Sequence, residues 1–341
     1  MIMQPALKKL LHSTIIPFAN RLGAHRLSAS SPKLWVLMYH RVLPKNDSRF
    51  ELEEPGMVVT PETFAMHMSE VKRHFDVISL PEWINLKQQS LPLPRKACVI
   101  TFDDGWADNY DHAFPVMQAE KIPVTVFAVA EKIGTNFQFW PNIIMALLMG
   151  NPSALSEMQK HPLFTKLSQI LPKPLKSIDR EYVAAYISQL KQFSDSEIFT
   201  ALYDIQWRSL LNVAMPNALM SWEQLMNMQQ SGLITIGSHT CNHKRLTVAL
   251  SEEELVHEII ASKKIIETQL SSKVDLFCFP NGDYCPRALE LVKDNYLAAV
   301  TTQKGIVNAN SRTNYELTRI GVHEEISHSR QLFGARLAGW L

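Results

Sequence analysis

Two adjacent carboxylates, Asp103 and Asp104, follow the β-branched apolar run Val99-Ile100-Thr101-Phe102 and are followed in turn by Gly105. Successive strand side chains point to opposite faces, so both acids reach one cavity only where the strand is already turning into a loop, and Gly105 supplies that turn. The C-terminal ends of strands are where α/β folds keep their chemistry. An Asp-Asp-Gly after a strand is also a plain turn with helix-capping acids, so the choice rests on the rest of the chain. Far downstream, Leu233-Ile234-Thr235-Ile236 leads into Gly237-Ser238-His239-Thr240-Cys241-Asn242-His243. Two histidines four apart, on a helix or a tight loop, bring both imidazoles to one point. With one carboxylate they make three ligands, which suits an ion that keeps positions open for water and substrate; a closed structural zinc site takes four. Surface and core histidines share this spacing by chance, and it is the company of Thr101-Phe102-Asp103-Asp104-Gly105 that gives the pair its weight.

Together with Phe277-Cys278-Phe279-Pro280-Asn281-Gly282, these segments resemble the polysaccharide deacetylases of carbohydrate esterase family 4, the NodB homology domain. The resemblance runs from about Leu34 to Val322. It implies a distorted seven-stranded (β/α) barrel with its site at the C-terminal mouth of the strands. It also implies metal-dependent removal of an acetyl group, usually from an N-acetylated hexosamine. Carried over residue by residue, Asp103 is the general base, Asp104, His239 and His243 are the metal ligands, and the N–H of Asn281, just after the motif's proline, is the oxyanion donor. The chemistry agrees: a Lewis-acidic ion polarises an amide carbonyl and holds the attacking water, while the unliganded neighbouring carboxylate accepts its proton. The nearby metal would keep that carboxylate ionised at neutral pH.

The match departs from the family in two places. Many members carry an arginine two or three residues before the proline, to orient the base, where this chain has Phe277 and Cys278 and then Phe279. Arg319, in Leu317-Thr318-Arg319-Ile320, is a replacement from another strand or else a surface arginine. Many members also carry a late Leu-x-His whose histidine is the general acid; here His323 stands in Val322-His323-Glu324, where a surface or supporting role is expected. The apolar run Trp35 to Tyr39 ends in His40-Arg41, and a similar Tyr-His resembles the substitute acid of the poly-N-acetylglucosamine branch. His40 is therefore assigned as the acid that protonates the leaving amine, against the alternative of a strand-end histidine bonded for structure. The departures leave a second reading open, a catalytically weak saccharide-binding or scaffold member. Intact metal ligands favour the enzyme.

The elements that must position these residues are legible as strand-like runs at Leu34–Tyr39, Val77–Leu80, Ala97–Phe102, Val124–Ala130, Leu233–Ile236, Asp275–Phe279, Leu297–Thr301 and Tyr315–Val322. Helical patterns lie between several of them, from Pro61 to about His74 and from the Ser251 cap to about Leu270. Such alternation argues an α/β fold with a mainly parallel sheet. Residues from about 137 to 220 break the rhythm with helix formers and read as a helical insertion within a domain spanning 31–341. Its position in the chain, between two strands of the site, suggests a substrate wall or lid, with Trp140, Trp207 and Trp222 as stacking aromatics or core residues.

Composition fits one globular enzyme domain: hydrophobic residues make up 46%, charged residues 20%, and the net charge is +1. No basic run asks for nucleic acid. Residues 1–30 form a separate N-terminal segment in which Lys8-Lys9 precedes a short apolar patch. Residues 5–22 read as an amphipathic helix touching a membrane peripherally, as a plain capping helix, or, less well, as a signal peptide, since histidine and proline interrupt the apolar part. The four cysteines do not form a disulfide framework, although Cys278 and Cys285 are close enough in sequence to pair. Cys241 is an extra ligand candidate between the two histidines. Thiols of this kind suit a reducing compartment, so the expected location is the cytoplasm and the expected substrate an N-acetylated glycan or its lipid-linked precursor. Zinc suits two histidines and a carboxylate, as do iron, cobalt and nickel.

Overall fold

Strands that must bury both faces read as near-continuous apolar runs, and seven of them close on one another in the computed structural model. The structure describes Ile16 and residues 21–27, 31–170, 178–311 and 313–339. The seven are β1 (Lys33–Tyr39), β2 (Lys96–Phe102), β3 (Val124–Ala128), β4 (Ile234–Ser238), β5 (Leu276–Cys278), β6 (Ala298–Lys304) and β7 (Leu317–Gly321). Each pairs in parallel with the next, and β7 pairs with β1, so the barrel has no open edge. The closure is uneven. The first half of β2 takes Asp76–Val77 as its neighbour on the side where its second half takes β3. Val307–Asn308 adds an antiparallel pair to the start of β1. Alternate residues of the strands, among them Leu34, Val36, Ala97, Val99, Leu276, Val300 and Leu317, meet in one buried cluster with Trp83 and Ile84.

The helices begin where caps allow. Thr60 accepts the Thr63 N–H at 3.1 Å and Pro61 opens α1 (Pro61–His74), with the bounds expected from sequence. The run Val77–Leu80 is a strand only through Val77. Ser79 instead accepts the Glu82 N–H at 3.2 Å and, with Pro81 in the first turn, starts α2 (Leu80–Gln88). Ser251 and Glu254 form a capping box, and the helical stretch that follows reaches Leu270 through a π-helical turn at His257–Ala261.

Thr135–Ala218 form a second compact unit with Leu43–Val58, a segment the sequence did not assign to it. Its helices include α3 (Trp140–Gly150), α4 (Arg180–Leu190) and α5 (Asp195–Asp204), which pack Ile144, Leu147, Tyr186, Ile187 and Leu202 into a core of their own. Glu53 ties the earlier segment in: its carboxylate accepts from Asn142 Nδ2 at 2.7 Å, and its carbonyl accepts from Arg180 Nε at 2.6 Å. Trp140 and Trp207 are buried in this core, so they are packing residues. Most of the segment 5–22 lies outside the described residues. Among the described residues no helix is long and apolar enough to cross a membrane.

Gly237 lies in β4, two residues before His239, where an added Cβ would meet Phe127 Cδ1 at 2.6 Å and the Leu276 carbonyl oxygen at 3.0 Å. Overpacking between a strand and a ring costs about 1–3 kcal/mol. Gly237→Ala should therefore lower the unfolding free energy by that amount and bring the denaturation midpoint down, and a midpoint equal to wild type would show that β4 and β3 are less closely packed than described.

Candidate active site

Parallel register brings the first two residues together. Tyr39 and Phe102 are partners across β1 and β2, so the next residue of each strand, His40 and Asp103, stand side by side. The Asp103 N–H donates to the Tyr39 carbonyl at 3.0 Å, and His40 Nε2 lies 3.8 Å from Asp103 Oδ2. The chain then reverses through left-handed backbone at Asp104 (φ 73°) and Gly105 (φ 81°). At Gly105 a Cβ would also press on Ile133 Cδ1 at 2.9 Å, so glycine is required twice over.

That reversal gives the two acids different surroundings. Asp103 meets Arg319 of β7, whose Nη1 and Nη2 each donate to one of its carboxylate oxygens at 2.7 Å. The guanidinium is anchored on every side: Nε donates to the Thr301 carbonyl at 2.8 Å, Nη1 to Thr101 Oγ1 at 3.1 Å and Nη2 to Cys278 Sγ at 3.2 Å. Arg319 is buried, 1% exposed, which rules out a surface arginine. Burial by itself would raise the Asp103 carboxyl, but the charge and fork of Arg319, helped by His239 and His40, hold it below the usual carboxylate range.

Asp104 faces the histidines. Its Oδ1 lies 3.3 Å from His239 Nε2 and 3.4 Å from His243 Nε2, and its Oδ2 accepts from Trp106 Nε1 at 2.8 Å. His239 follows β4 directly, its N–H donating to the Ala128 carbonyl at 2.9 Å. Its Nδ1 lies 2.8 Å from the Cys278 carbonyl; a carbonyl only accepts, so Nδ1 carries hydrogen and Nε2 is the ring atom left facing Asp104. Thr240 (φ 67°) and His243 (φ 60°) are left-handed, and the His243 N–H closes the turn on Thr240 Oγ1 at 2.9 Å. The two histidines thus converge from a tight loop, not a helix. Donor atoms of Asp104, His239 and His243 all lie within 4.8 Å of one another, a spacing that one ion can draw together. Burial opposes charge on Asp104, but the His239 hydrogen bond and the His243 and His40 imidazoles hold it ionised. For His239, burial favours the neutral ring, while Cys278 and the carboxylates draw a proton onto it; a cation bound there would take that proton's place.

Sequence reading missed the brace behind these residues. Asp108 accepts from Arg41 Nη2 at 2.8 Å and from the Val42 N–H at 2.7 Å, and the Arg41 guanidinium lies 4.2 Å from the centre of the Trp106 ring. Asn109 Nδ2 donates to the His40 carbonyl at 2.8 Å. Asp108 and Asn109 follow the Asp-Asp-Gly turn closely, which is the one signal that pointed to them. Asn281 is left-handed (φ 54°) in the turn Pro280–Gly282, with its carbonyl accepting from Thr302 Oγ1 at 2.9 Å. His323 Nδ1 lies 2.6 Å from Glu325 Oε2, so it is a partly exposed residue hydrogen-bonded to the helix start beside it. Cys241 turns its thiol to the His257 carbonyl at 3.3 Å, and all four cysteines are free, Cys278 and Cys285 included.

The family model described as polysaccharide deacetylase matches residues 90–165 and 183–300. YxkH of Bacillus subtilis, assigned by name to the polysaccharide deacetylases, is 24% identical over 305 residues, 89% of this chain and 75% of its own. The poly-β-1,6-N-acetyl-D-glucosamine N-deacetylase of Staphylococcus epidermidis is 36% identical over 111 residues, 30% of this chain and 38% of its own. Among solved structures, the Streptococcus pyogenes deacetylase PplD in complex with acetate superposes with a TM-score of 0.57 at 18% identity, covering 89% of this chain and 98% of that one. The likeness to PplD concerns the fold.

Trp106→Phe keeps the ring and removes the hydrogen bond to Asp104. Groups that orient a metal ligand are worth about 10–100-fold in affinity, so zinc binding measured against a competing chelator should weaken by that factor. Unchanged affinity would mean that Asp104 is held without Trp106.

Proposed function

Because the chain belongs to the polysaccharide deacetylase family, we propose that it is a metal-dependent N-deacetylase of a poly-N-acetylglucosamine-type glycan. The observation that carries this reading is the division of labour between neighbouring acids, with Asp103 locked to Arg319 and Asp104 turned to two histidines. The residues fit a cation: Asp104, His239 and His243 offer one carboxylate and two imidazole nitrogens, a donor set of the zinc type, with His239 oriented by the Cys278 carbonyl. A divalent ion bound there would supply Lewis acidity toward the amide carbonyl.

Asp103, ionised and unliganded, takes the proton of the attacking water. Arg319 fixes its two oxygens in place, so the carboxylate needs no reorganisation as the proton arrives. His40, beside Asp103 and braced through Asn109, gives a proton to the departing glucosamine nitrogen, which leaves as amine while the acetyl group leaves as acetate. The N–H of Asn281, which lies in a left-handed turn, is the second donor to the oxyanion. The segment shared with the staphylococcal enzyme supports the β-1,6-linked substrate class. The buried free thiols support a reducing compartment, where a lipid-linked precursor is the competing substrate.

Acetate release should be measured with β-1,6-linked and β-1,4-linked N-acetylglucosamine oligomers and a lipid-linked N-acetylhexosamine. The expected result is release from the β-1,6 series that a chelator abolishes and zinc restores, and that His40→Gln slows by about 10²–10⁴-fold. Release that survives complete metal removal would refute the metal mechanism, and preference for the lipid-linked compound would move the substrate to the precursor.

The pH dependence tests the base. Arg319→Lys keeps a charge but loses the fork, so the Asp103 carboxyl should rise toward its ordinary value and the acid limb of kcat/KM should move to higher pH. An acid limb at the wild-type position, with metal content unchanged, would mean that it belongs to another group.

A further inference from the structure

The loop that carries His239 and His243 has a second face. Between the two histidines, Cys241 turns its thiol to the His257 carbonyl in the π-helical turn at His257–Ala261, and its backbone is bonded to the loop after β3. There Glu131 Oε1 lies 2.9 Å from His257 Nε2, and the donor atoms of Glu131, Cys241 and His257 all lie within 4.8 Å of one another. We propose that Glu131, Cys241 and His257 form a second binding site for a zinc-like divalent cation, back to back with the first across one turn of chain.

Donor chemistry and framework both support it. Thiolate, imidazole and carboxylate are the three side-chain types zinc takes, and its bond lengths put tetrahedral donors about 3.3–3.7 Å apart. The Glu131–His257 pair, at 2.9 Å, is closer than that spacing, so these two solvent-reached side chains need only part slightly to admit an ion. The backbone that carries the thiol is held in place: the Glu131 N–H donates to the Cys241 carbonyl at 3.0 Å, and the Ala130 N–H to the Thr240 carbonyl at 2.9 Å. Asn242 is fastened to Glu258, the neighbour of His257, at 2.8 and 2.9 Å. Glu131 is 32% and His257 50% exposed at the side chain, which leaves a fourth position to water or a small anion. Binding replaces the thiol proton by the metal and releases that proton to solvent. A cation seated here would pull on the residue between two ligands of the first site, so filling one site should alter affinity at the other.

The test uses the full chain with Asp104→Ala, which removes the first site's carboxylate, so that failure of the deacetylase reading leaves this result intact. After metal stripping and dialysis against zinc, this variant should retain one equivalent. Cobalt in its place should give a thiolate-to-cobalt charge-transfer band that Cys241→Ser removes and Cys278→Ser leaves. His257→Gln and Glu131→Gln, both at exposed positions, should each weaken zinc binding about tenfold or more. No retained zinc, no thiolate band, or a band that follows Cys278 would overturn the proposal.

Discussion

A guanidinium buried in the mouth of a barrel can be kept there only by a carboxylate and a full set of acceptors, and the Arg319–Asp103 pair is the constraint on which the rest of this site depends. Desolvating two charges costs several kcal/mol each, which their attraction offsets only when the geometry is good and the remaining N–H groups are satisfied. Both conditions are met: two parallel bonds of 2.7 Å join the charges, and Thr301, Thr101 and Cys278 take the other contacts. The pair ties β7 to the end of β2, with β5 and β6 supplying partners. Removing either member would leave an uncompensated buried charge, a loss of about 3–5 kcal/mol. Because the Asp103 carboxyl is depressed in the folded chain, its contribution to stability is present above the ordinary carboxylate pKa and is lost as pH falls through the lowered one.

From this lock the separate surroundings of two neighbouring acids follow. Asp103 has both oxygens committed to Arg319 and stands beside His40, whereas the left-handed turn at Asp104 sends the next carboxylate to His239 and His243. The histidines arrive by strand register: Ser238 pairs with Ala128 and with Phe277, so His239 emerges at the same mouth, where Cys278 supplies the carbonyl that turns its ring. The gathering of these residues at the mouth is thus a consequence of parallel closure, which ends all seven strands at one rim.

Much of this was written plainly in the chain. Thr101-Phe102-Asp103-Asp104-Gly105 is a strand, a turn and two acids in five residues, and both histidines lie in one tight turn. Pro61 and Ser251 announced their helices through capping chemistry that acts locally. Arg319 was harder, because a charge on a strand ordinarily faces water. The alternation was nonetheless informative: Leu317 and Arg319 share a face, and Leu317 belongs to the buried cluster. The Val77–Leu80 run was misjudged at its end because a serine cap and a proline overrode its apolar character. Trp106, Arg41 and Asp108 escaped notice because their partnership joins residues about 65 positions apart, a distance that local pattern does not register. The same limit hid the membership of Leu43–Val58 in the second unit, which depends on Glu53 meeting Asn142 and Arg180.

The central claim is that adjacent acids divide base from ligand, and paired measurements of bound metal and released acetate in Asp103→Asn and Asp104→Asn test it most directly. The account predicts that Asp103→Asn keeps the metal of the first site and loses acetate release, while Asp104→Asn loses both. If Asp103→Asn lost the metal, or if Asp104→Asn kept it with activity intact, the assignment of the two carboxylates would be contradicted.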